Sequence, residues 1–547
     1  MRPEIAPPSN VFETADAANG LGTDYLLGLG NSFYGYLDDG DSDWIALKLF
    51  AGSVFNFQAI GTGTEAVSDD KLHLSLFTYN GSFVVRDDAM GDDGDGISAD
   101  IWFRAEYTGI YYLKVGSKDI GHYAVLTEYS ATGMPAFPGD EEVDDIADQL
   151  VNGYWENGGE TLRRFDVPAG GTLEANITGL TVEGRFLAEQ ALLSWSAMTG
   201  MAFDFVDTGG DLVFDDDAAG AFATSSLDVD GRLITQSQIN VSTDWLADSG
   251  TTVDSYGFQT YLHEIGHALG LGHAGNYNGT GTYGVDNLFV GDSWQASVMS
   301  YFSQEDNTDI EADYAYTLTP MVADMLAIQI LYGRAGSLRL GDTTYGDNST
   351  AGDFYDTIMT LKNPVTFTLL DDGGTDTIDM SSVTFDQLIN LKSESFSNTM
   401  GLIGNLSIAR GTVIENAIGG SGNDVLKGNS VANRLKGADG RDKLKGADGD
   451  DVLNGGRGRD SLKGGKGADT FVFKNKYGKD TIQDFENDTD SIRLDDALWS
   501  GSLSAQQVVD TFARIEGTNT ILDFGRYELK IKGFTDLGDL ADDLNII

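Results

Sequence analysis

The run His263-Glu264-Ile265-Gly266-His267-Ala268-Leu269-Gly270-Leu271-Gly272-His273 has the most chemically specific spacing in the chain. On a helix, side chains four positions apart fall within about 40° of each other, so His263 and His267 share a face. Phe258, Leu262, Ile265 and Leu269 gather on a stripe about 150° away. This predicts a helix over roughly 256–269 that buries one side and presents both imidazoles on the other. Neutral imidazole nitrogens one turn apart can grip a zinc ion at about 2.0–2.1 Å. Gly270 and Gly272 end the helix and permit a reversal that brings His273 back as a third ligand. Three protein ligands leave one coordination position open, as in a catalytic rather than a structural site. Zinc there would pull the pKa of water from about 15.7 towards 7 and polarise a peptide carbonyl. Glu264 would accept the proton as general base and deliver it to the leaving amine.

The elements that hold these groups can be read on either side. Arg185–Thr199 carries Leu187, Ala191, Trp195 and Met198 at helical spacing, and a further helix is expected over Thr319–Leu331. Leu212–Phe214 and Ile234–Val241 read as strands. Residues 145–335 therefore read as a mixed α and β domain. Gly133–Glu142, with two prolines, two glycines and three acids, reads as part of an interdomain linker over 133–144. Before it, residues 20–132 are expected to form an antiparallel β-sandwich, on the strength of Trp44–Phe50, Leu72–Phe77 and Ile110–Val115. Thr108-Gly109 reads as a hairpin turn, and residues 1–19 as a tail. The acidic stretch Asp87–Asp100 reads as solvated charge, and His73 and His122 as strand residues.

Composition narrows the function. The chain's 34 Lys and Arg against 86 Asp and Glu give a net charge of −52, which repels phosphate backbones and excludes nucleic acid as a partner. The same carboxylates suit hard cations such as Ca²⁺. With no cysteine there are no disulfides, no thiolate zinc sites and no thiol catalysis. No run approaches 18 apolar residues, so no membrane span is expected, and the first residues show no apolar core of a Sec-type signal.

Beyond residue 335 the sequence turns to short strands and Gly/Asp turns. From Gly419, six nonapeptides run without a gap: GGSGNDVLK, GNSVANRLK, GADGRDKLK, GADGDDVLN, GGRGRDSLK and GGKGADTFV. Position 1 is always Gly. Position 6 is Asp424, Asn433, Asp442, Asp451, Asp460 and Asp469, and position 8 is apolar from Leu426 to Phe471. Each unit is a turn plus a short strand with one inward anchor. Since one unit cannot bury its own face, the units must stack.

The histidine motif resembles that of the metzincins, H-E-x-x-H-x-x-G-x-x-H followed by a Met-containing turn, here Ser297-Val-Met-Ser-Tyr-Phe302. Within that group the chain from about Asp145 onwards resembles the serralysins, secreted bacterial metalloproteases with an RTX β-roll. The resemblance implies a multidomain fold: an N-terminal sandwich, a central α+β metzincin domain over 145–335, and a C-terminal parallel β-roll and β-sandwich over 336–547. It implies that His263, His267 and His273 hold one zinc with Glu264 as base. Tyr301 would be a movable further ligand and oxyanion donor, and Met299 the floor beneath the histidines. Ala219–Thr224, with Ala221, Phe222 and Ala223, resembles the edge strand that binds an extended peptide.

For calcium, the resemblance implies three sets in the repeats: Gly420, Gly422 and Asp424 with Gly437, Asp439 and Asp442; Ala438, Gly440 and Asp442 with Gly455, Arg457 and Asp460; and Ala447, Gly449 and Asp451 with Gly464, Lys466 and Asp469. The second repeat, with Asn429, Val431 and Asn433, departs from the pattern. Arg339, Gly341 and Thr343 with Asp371, Gly373 and Asp376 resemble a further site, and Glu415 would serve another. The N-terminal region resembles a bacterial pre-peptidase β-sandwich, and its role as binding module, removable prodomain or solubility module stays open. The end Asp542-Asp-Leu-Asn-Ile-Ile547 taken alone reads equally as a signal for a type I ABC exporter or as a last strand, and the repeats tip the reading towards the C-terminal secretion signal.

The expected function is that of a secreted, monomeric zinc endopeptidase acting on protein or peptide substrates and folded by calcium. The alternative is a calcium-dependent adhesion or matrix protein with a silent protease domain.

Overall fold

A computed structural model describes residues 140–336 and 338–547 throughout, with strand segments and a few flanking residues between 11 and 129. The chain divides into two compact units, Met1–Pro138 with Leu288–Val290, and Gly139–Asn287 with Gly291–Ile547.

Alternating apolar residues build the first unit. One five-stranded sheet runs, in spatial order, Val11–Phe12, Ser32–Leu37, Gly121–Tyr129, Val54–Gly61 and Ala99–Arg104. The other runs Leu26–Leu27, Ser42–Leu49, Gly109–Gly116, His73–Thr78 and Phe83–Asp88. Phe33, Phe57 and Val125 from the first sheet and Ile45, Leu74 and Leu113 from the second share one buried cluster, which makes the pair a sandwich. The sequence reading needs two corrections here. Val11–Phe12, assigned to a tail, pairs with Phe33–Tyr34, and both this short edge strand and Leu26–Leu27 pair in parallel rather than antiparallel fashion. Thr108, residues 89–98 and residues 133–139 lie outside the described residues.

The second unit begins with helix α1 (Asp140–Asp148), so residues 140–144 are helical rather than linker. A π-helical turn (Gln149–Gly153) carries it into α2 (Tyr154–Asn157). Helix α3 (Val182–Thr199) starts on the Thr181 side chain, α4 (Thr243–Ser249) on Ser242 and α5 (Tyr256–Ala268) on Ser255, each oxygen accepting an N–H of the first turn. The sheet above them runs Ala202–Phe205, Thr172–Gly179, Leu212–Asp215, Ile234–Val241 and Ala221–Leu227. Its pairings are parallel except the last, where the edge strand Ala221–Leu227 lies antiparallel to Ile234–Val241. Helix α5 buries Phe258, Leu262, Ile265 and Leu269 as its periodicity requires. Helix α6 (Val322–Tyr332) completes the helical layer.

The chain does not separate at 335/336. Tyr316–Thr317 pairs with Val365–Thr366, so one sheet crosses that point. Beyond it lie two eight-stranded sheets. One is parallel throughout, from Thr344–Gly346 to Leu544–Ile546; the other is parallel until it ends in the antiparallel strands Glu528–Ile531, Asn519–Asp523 and Ala513–Glu516. Leu426, Leu435, Leu444, Leu453, Leu462 and Phe471 are all buried, each such side chain contributing about 1.5–3 kcal/mol of burial. Strands and turns are not the whole of this region, because Asp353–Thr360 is a 3₁₀-helix and Ala505–Phe512 forms helix α7.

Candidate metal centre and the carboxylate ladders

The last turn of α5 and the reversal after it gather the three histidines. Gly270, at φ +107°, takes the backbone through a conformation costly for other residues. His273 comes back beside the helix, and one ring nitrogen from each of His263, His267 and His273 lies within 4.8 Å of the others. Each Nδ1 meets a backbone carbonyl: His263 that of Val298 at 2.8 Å, His267 that of Leu271 at 2.8 Å, and His273 that of Tyr277 at 2.9 Å. A carbonyl only accepts, so Nδ1 carries the proton and Nε2 is left with a bare lone pair. The Nε2 atoms of His267 and His273 stand 2.9 Å apart with no hydrogen to share between them. Two facing lone pairs repel unless a cation lies where they point. Burial lowers the imidazole pKa values, to about 4 for His263 and about 3 for His267, and keeps the rings neutral. This donor set fits a zinc ion.

Glu264 is buried, and its Oε2 has no hydrogen-bond partner. Burial raises its pKa to about 8, opposed by the backbone N–H of Ala223 on the edge strand. A carboxyl held there can exist in either protonation state near neutral pH, as proton transfer requires. Of the other expected edge-strand residues, Ala221 is half-buried and Phe222 is exposed. Met299 is fully buried, with its Sδ so close beneath Gly266 that a Cβ on that residue would lie 2.4 Å away. The Tyr301 ring centre is 4.4 Å from that of His273 and 6.0 Å from that of His263. Its hydroxyl accepts the Gly279 N–H at 3.2 Å.

Several supports were not apparent from the sequence. Asp324, fully buried near the start of α6, accepts from Ser297 Oγ at 2.6 Å and from the Val298 and Met321 N–H groups at 2.8 Å each. It thereby anchors Val298, the residue whose carbonyl meets His263. On the other side, Gly272 N–H donates to the Leu150 carbonyl at 2.7 Å, Gln149 Nε2 to Asn276 at 3.0 Å, and Tyr154 stands edge-on to His273 at 5.0 Å. An acid three residues into a helix is a readable start signal, which could have flagged Asp324. The Gln149 and Tyr154 contacts span more than a hundred residues and leave no local trace.

The second cluster is of opposite character. Turns 18 residues apart stack closely: Gly440 on the Gly422 carbonyl, Gly458 on that of Gly440, Gly465 on that of Ala447 and Gly467 on that of Gly449. Each position-6 carboxylate receives the N–H of the one before it. Oδ1 of Asp442 accepts from Asp424, that of Asp460 from Asp442, and that of Asp469 from Asp451. The remaining oxygens, Oδ2 of Asp442, Asp451, Asp460 and Asp469, are buried without partners. Asp424 differs, because its Oδ2 accepts the Gly420 N–H. Position 1 must be glycine: a Cβ at Gly437 would lie 2.3 Å from Asp442 Oδ2, with Gly455 and Gly464 placed likewise against Asp460 and Asp469. Ala438 and Ala447 adopt φ of 79° and 91°, and the side chains of Asp439, Arg457 and Lys466 point outwards.

Burial raises the ladder carboxyls, to about 8 for Asp442, about 7 for Asp451 and about 6 for Asp460 and Asp469, with repulsion from neighbouring carboxylates adding to it at Asp442, Asp451 and Asp469. Asp480, outside the nonapeptides, extends one column by accepting the Asp460 N–H, and its Oδ2 is likewise unpartnered. Asn433 breaks the other column without strain. Its amide donates to Asn429 Oδ1 and the Glu415 carbonyl, so it needs no cation.

Upstream, Thr343 N–H donates to Asp376, Asp376 N–H to Glu415, and Gly373 N–H to Asp371. Gly341 accepts from Thr343 Oγ1, and Arg339, at φ 52°, turns its guanidinium to Tyr345 and the Leu370 carbonyl. Asp376 Oδ2 is a further buried oxygen without a partner.

The chain is similar to known proteins. Residues 335–541 match the family described as Peptidase M10 serralysin C terminal. The metallopeptidase AprA of Pseudomonas marginalis is 36% identical over 330 residues, covering 55% of this chain and 67% of that protein. The chain belongs to the serralysin family of metalloproteases. Another serralysin relative, the metalloprotease AprA of Pseudomonas entomophila, is 42% identical over 260 residues, which cover 45% of this chain and 53% of that protein. The match thus spans about half the length of the first such relatives. The solved pre-peptidase C-terminal domain of collagenase from Bacillus anthracis aligns at 16% identity over 22% of this chain and 97% of that domain, with a TM-score of 0.16 that carries no argument. Among the described residues no helix is long and apolar enough to cross a membrane.

Proposed function

We propose that this serralysin is a secreted endopeptidase that holds one zinc ion on His263, His267 and His273 and is folded by several calcium ions. The observation that carries the reading is the convergence of three bare Nε2 lone pairs beside a buried carboxyl, Glu264, with a free oxygen. Zinc bound there would supply Lewis acidity, polarising the scissile carbonyl and easing the ionisation of water. The chain's own groups do the rest. Glu264, a buried carboxyl beside the histidines with one free oxygen, takes a proton from water and returns it to the departing amine. Tyr301, released from Gly279, donates its hydroxyl to the developing oxyanion. Ala221, Phe222 and Ala223 offer an antiparallel edge to an extended peptide, while Met299 supports the histidine rings from below.

Calcium in the reading occupies the stacked turns between Gly420 and Asp469 and the group from Arg339 to Asp376 with Glu415. Each unpartnered Oδ2 there is a ligand awaiting a cation. Scarce calcium inside a cell would leave these carboxylates repelling one another and the roll unfolded, a state suited to passage through a type I exporter. Abundant calcium outside would drive folding. The working form is a monomer acting on protein or peptide substrates.

The test is digestion of casein by the calcium- and zinc-loaded chain and by Glu264→Gln. Loss of about 10²–10⁴-fold in rate supports the assignment. Equal rates in the two proteins refute it and favour a silent domain on a calcium-dependent adhesin.

A further inference from the structure

The nonapeptides alternate between the two eight-stranded sheets, and their cations do not divide evenly. The first, third and fifth repeats supply Val425–Lys427, Lys443–Asp448 and Ser461–Lys466 to the sheet that ends antiparallel, and the second, fourth and sixth feed the other. Positions 6 and 8 are buried, so positions 5, 7 and 9 face outwards. In the odd repeats those outward positions carry Lys427, Arg441, Lys443, Lys445, Arg459 and Lys463, and no acid. In the even repeats they carry Arg434 and Lys436 together with Asp450. Lys427 is half-buried and the other five of the odd face are exposed.

Register turns these cations into a row. Lys427 stands opposite Lys445, and Lys445 opposite Lys463, on strands about 4.8 Å apart. Like charges facing each other across a sheet destabilise it. Cations elsewhere on the roll are offset within the protein, Lys466 by Asp448 at 3.1 Å, Arg457 by Asp439 at 3.7 Å and Lys479 by Glu528 at 3.2 Å. Among the described residues none of the six has an ion pair or a side-chain hydrogen bond, and Asp484 reaches Lys463 only through space. The row therefore carries a repulsion that an anion from outside would relieve.

The shape of the patch narrows that anion. At physiological salt a charge is felt over about 8 Å, so the six act on whatever touches them despite the chain's net charge of −52. A flat anionic membrane would have to approach the whole acidic molecule, and the outward positions of these strands hold no aromatic ring or leucine to insert. They equally lack the rings on which the bases of single-stranded nucleic acid stack. A flexible acidic peptide would lose chain entropy on being held straight. A stiff linear polymer with regularly spaced anions fits a straight row with little to lose.

We propose that this outward face, through Lys427, Arg441, Lys443, Lys445, Arg459 and Lys463, binds a linear acidic polysaccharide laid across the strands. The site lies outside the protease reading and does not depend on the histidine centre.

The test measures binding of the full chain, in calcium-containing buffer, to size-defined heparin oligosaccharides as the probe. The wild type should bind, and more weakly as salt rises. Lys445→Gln combined with Lys463→Gln should weaken binding by about tenfold or more. Arg434→Gln combined with Lys436→Gln, which removes the same charge from the other sheet, should leave it as in the wild type. The first pair should also melt no lower than the wild type, because it removes facing like charges. A lower melting temperature there would make the row a structural device and overturn the proposal. So would a wild type that does not bind, equal losses in the two pairs, or tighter binding of oligodeoxynucleotides or phosphatidylserine vesicles than of heparin.

Discussion

The histidine centre and the carboxylate ladders are the two candidate cation sites, and on the proposed reading they would be loaded by opposite routes. At the centre the ligands are neutral, and burial helps by keeping the imidazoles deprotonated. Every Nδ1 is tied to the backbone, so the geometry stands without an ion. In the ladders the ligands are anions, and the same burial works against them, leaving oxygens of Asp442, Asp451, Asp460, Asp469 and Asp480 without partners. One region is pre-organised and waits for its metal. The other gathers like charges that a bound cation would offset. Calcium should thus act on folding, and zinc on chemistry.

The largest expected effect separates the two ions. Chelating calcium from the full chain near neutral pH should destabilise the roll strongly, so that its β-signal in circular dichroism is lost on mild warming, whereas chelating zinc alone should leave the spectrum intact. Collapse of both signals on zinc removal would erase the distinction. Next in size is an effect of pH. The ladder carboxyls are raised from about 3.9 unfolded to about 6–8 in the calcium-free fold. That fold binds more protons than the unfolded chain between about pH 4 and pH 8, so its stability should fall as pH rises through this window. With calcium bound the carboxylates are held ionised, and stability should instead be lost on acidification towards pH 4. Melting curves at pH 5 and 8, with and without calcium, read both signs.

A smaller change tests one rung. Asp442→Asn keeps the acceptor for the Asp424 N–H but removes a buried charge. It should raise the melting temperature without calcium and lower it with calcium, by a few degrees each way. A shift of the same sign in both states would contradict the ladder account. Smallest is Asp324→Asn, which loosens Val298 behind His263 without touching a candidate ligand. Zinc affinity, measured by competition with a chromogenic chelator, should weaken by about tenfold with little change in the fold.

The legible parts of the molecule are those where neighbours in sequence are neighbours in space. The 3.6-residue period of Phe258, Leu262, Ile265 and Leu269 gave α5 its buried side, and the glycine after it gave the reversal to His273. The nine-residue period likewise carried the stacking, and Asn433 marked the rung that needs no ion. What escaped was short or distant. Val11–Phe12 is too brief for alternation to register, and its parallel partner is not visible in its own residues. Residues 140–142 read as linker by their composition but belong to a helix. Continuity across residue 335 depends on pairing Tyr316–Thr317 with a strand some fifty residues later, which no local pattern announces.

The most direct measurement is anomalous diffraction at the zinc edge from crystals of the calcium-loaded chain. One peak is expected about 2.0–2.1 Å from the Nε2 atoms of His263, His267 and His273, with Glu264 beside it and outside bonding distance. No peak at that point, or a peak held by other side chains, would contradict the account.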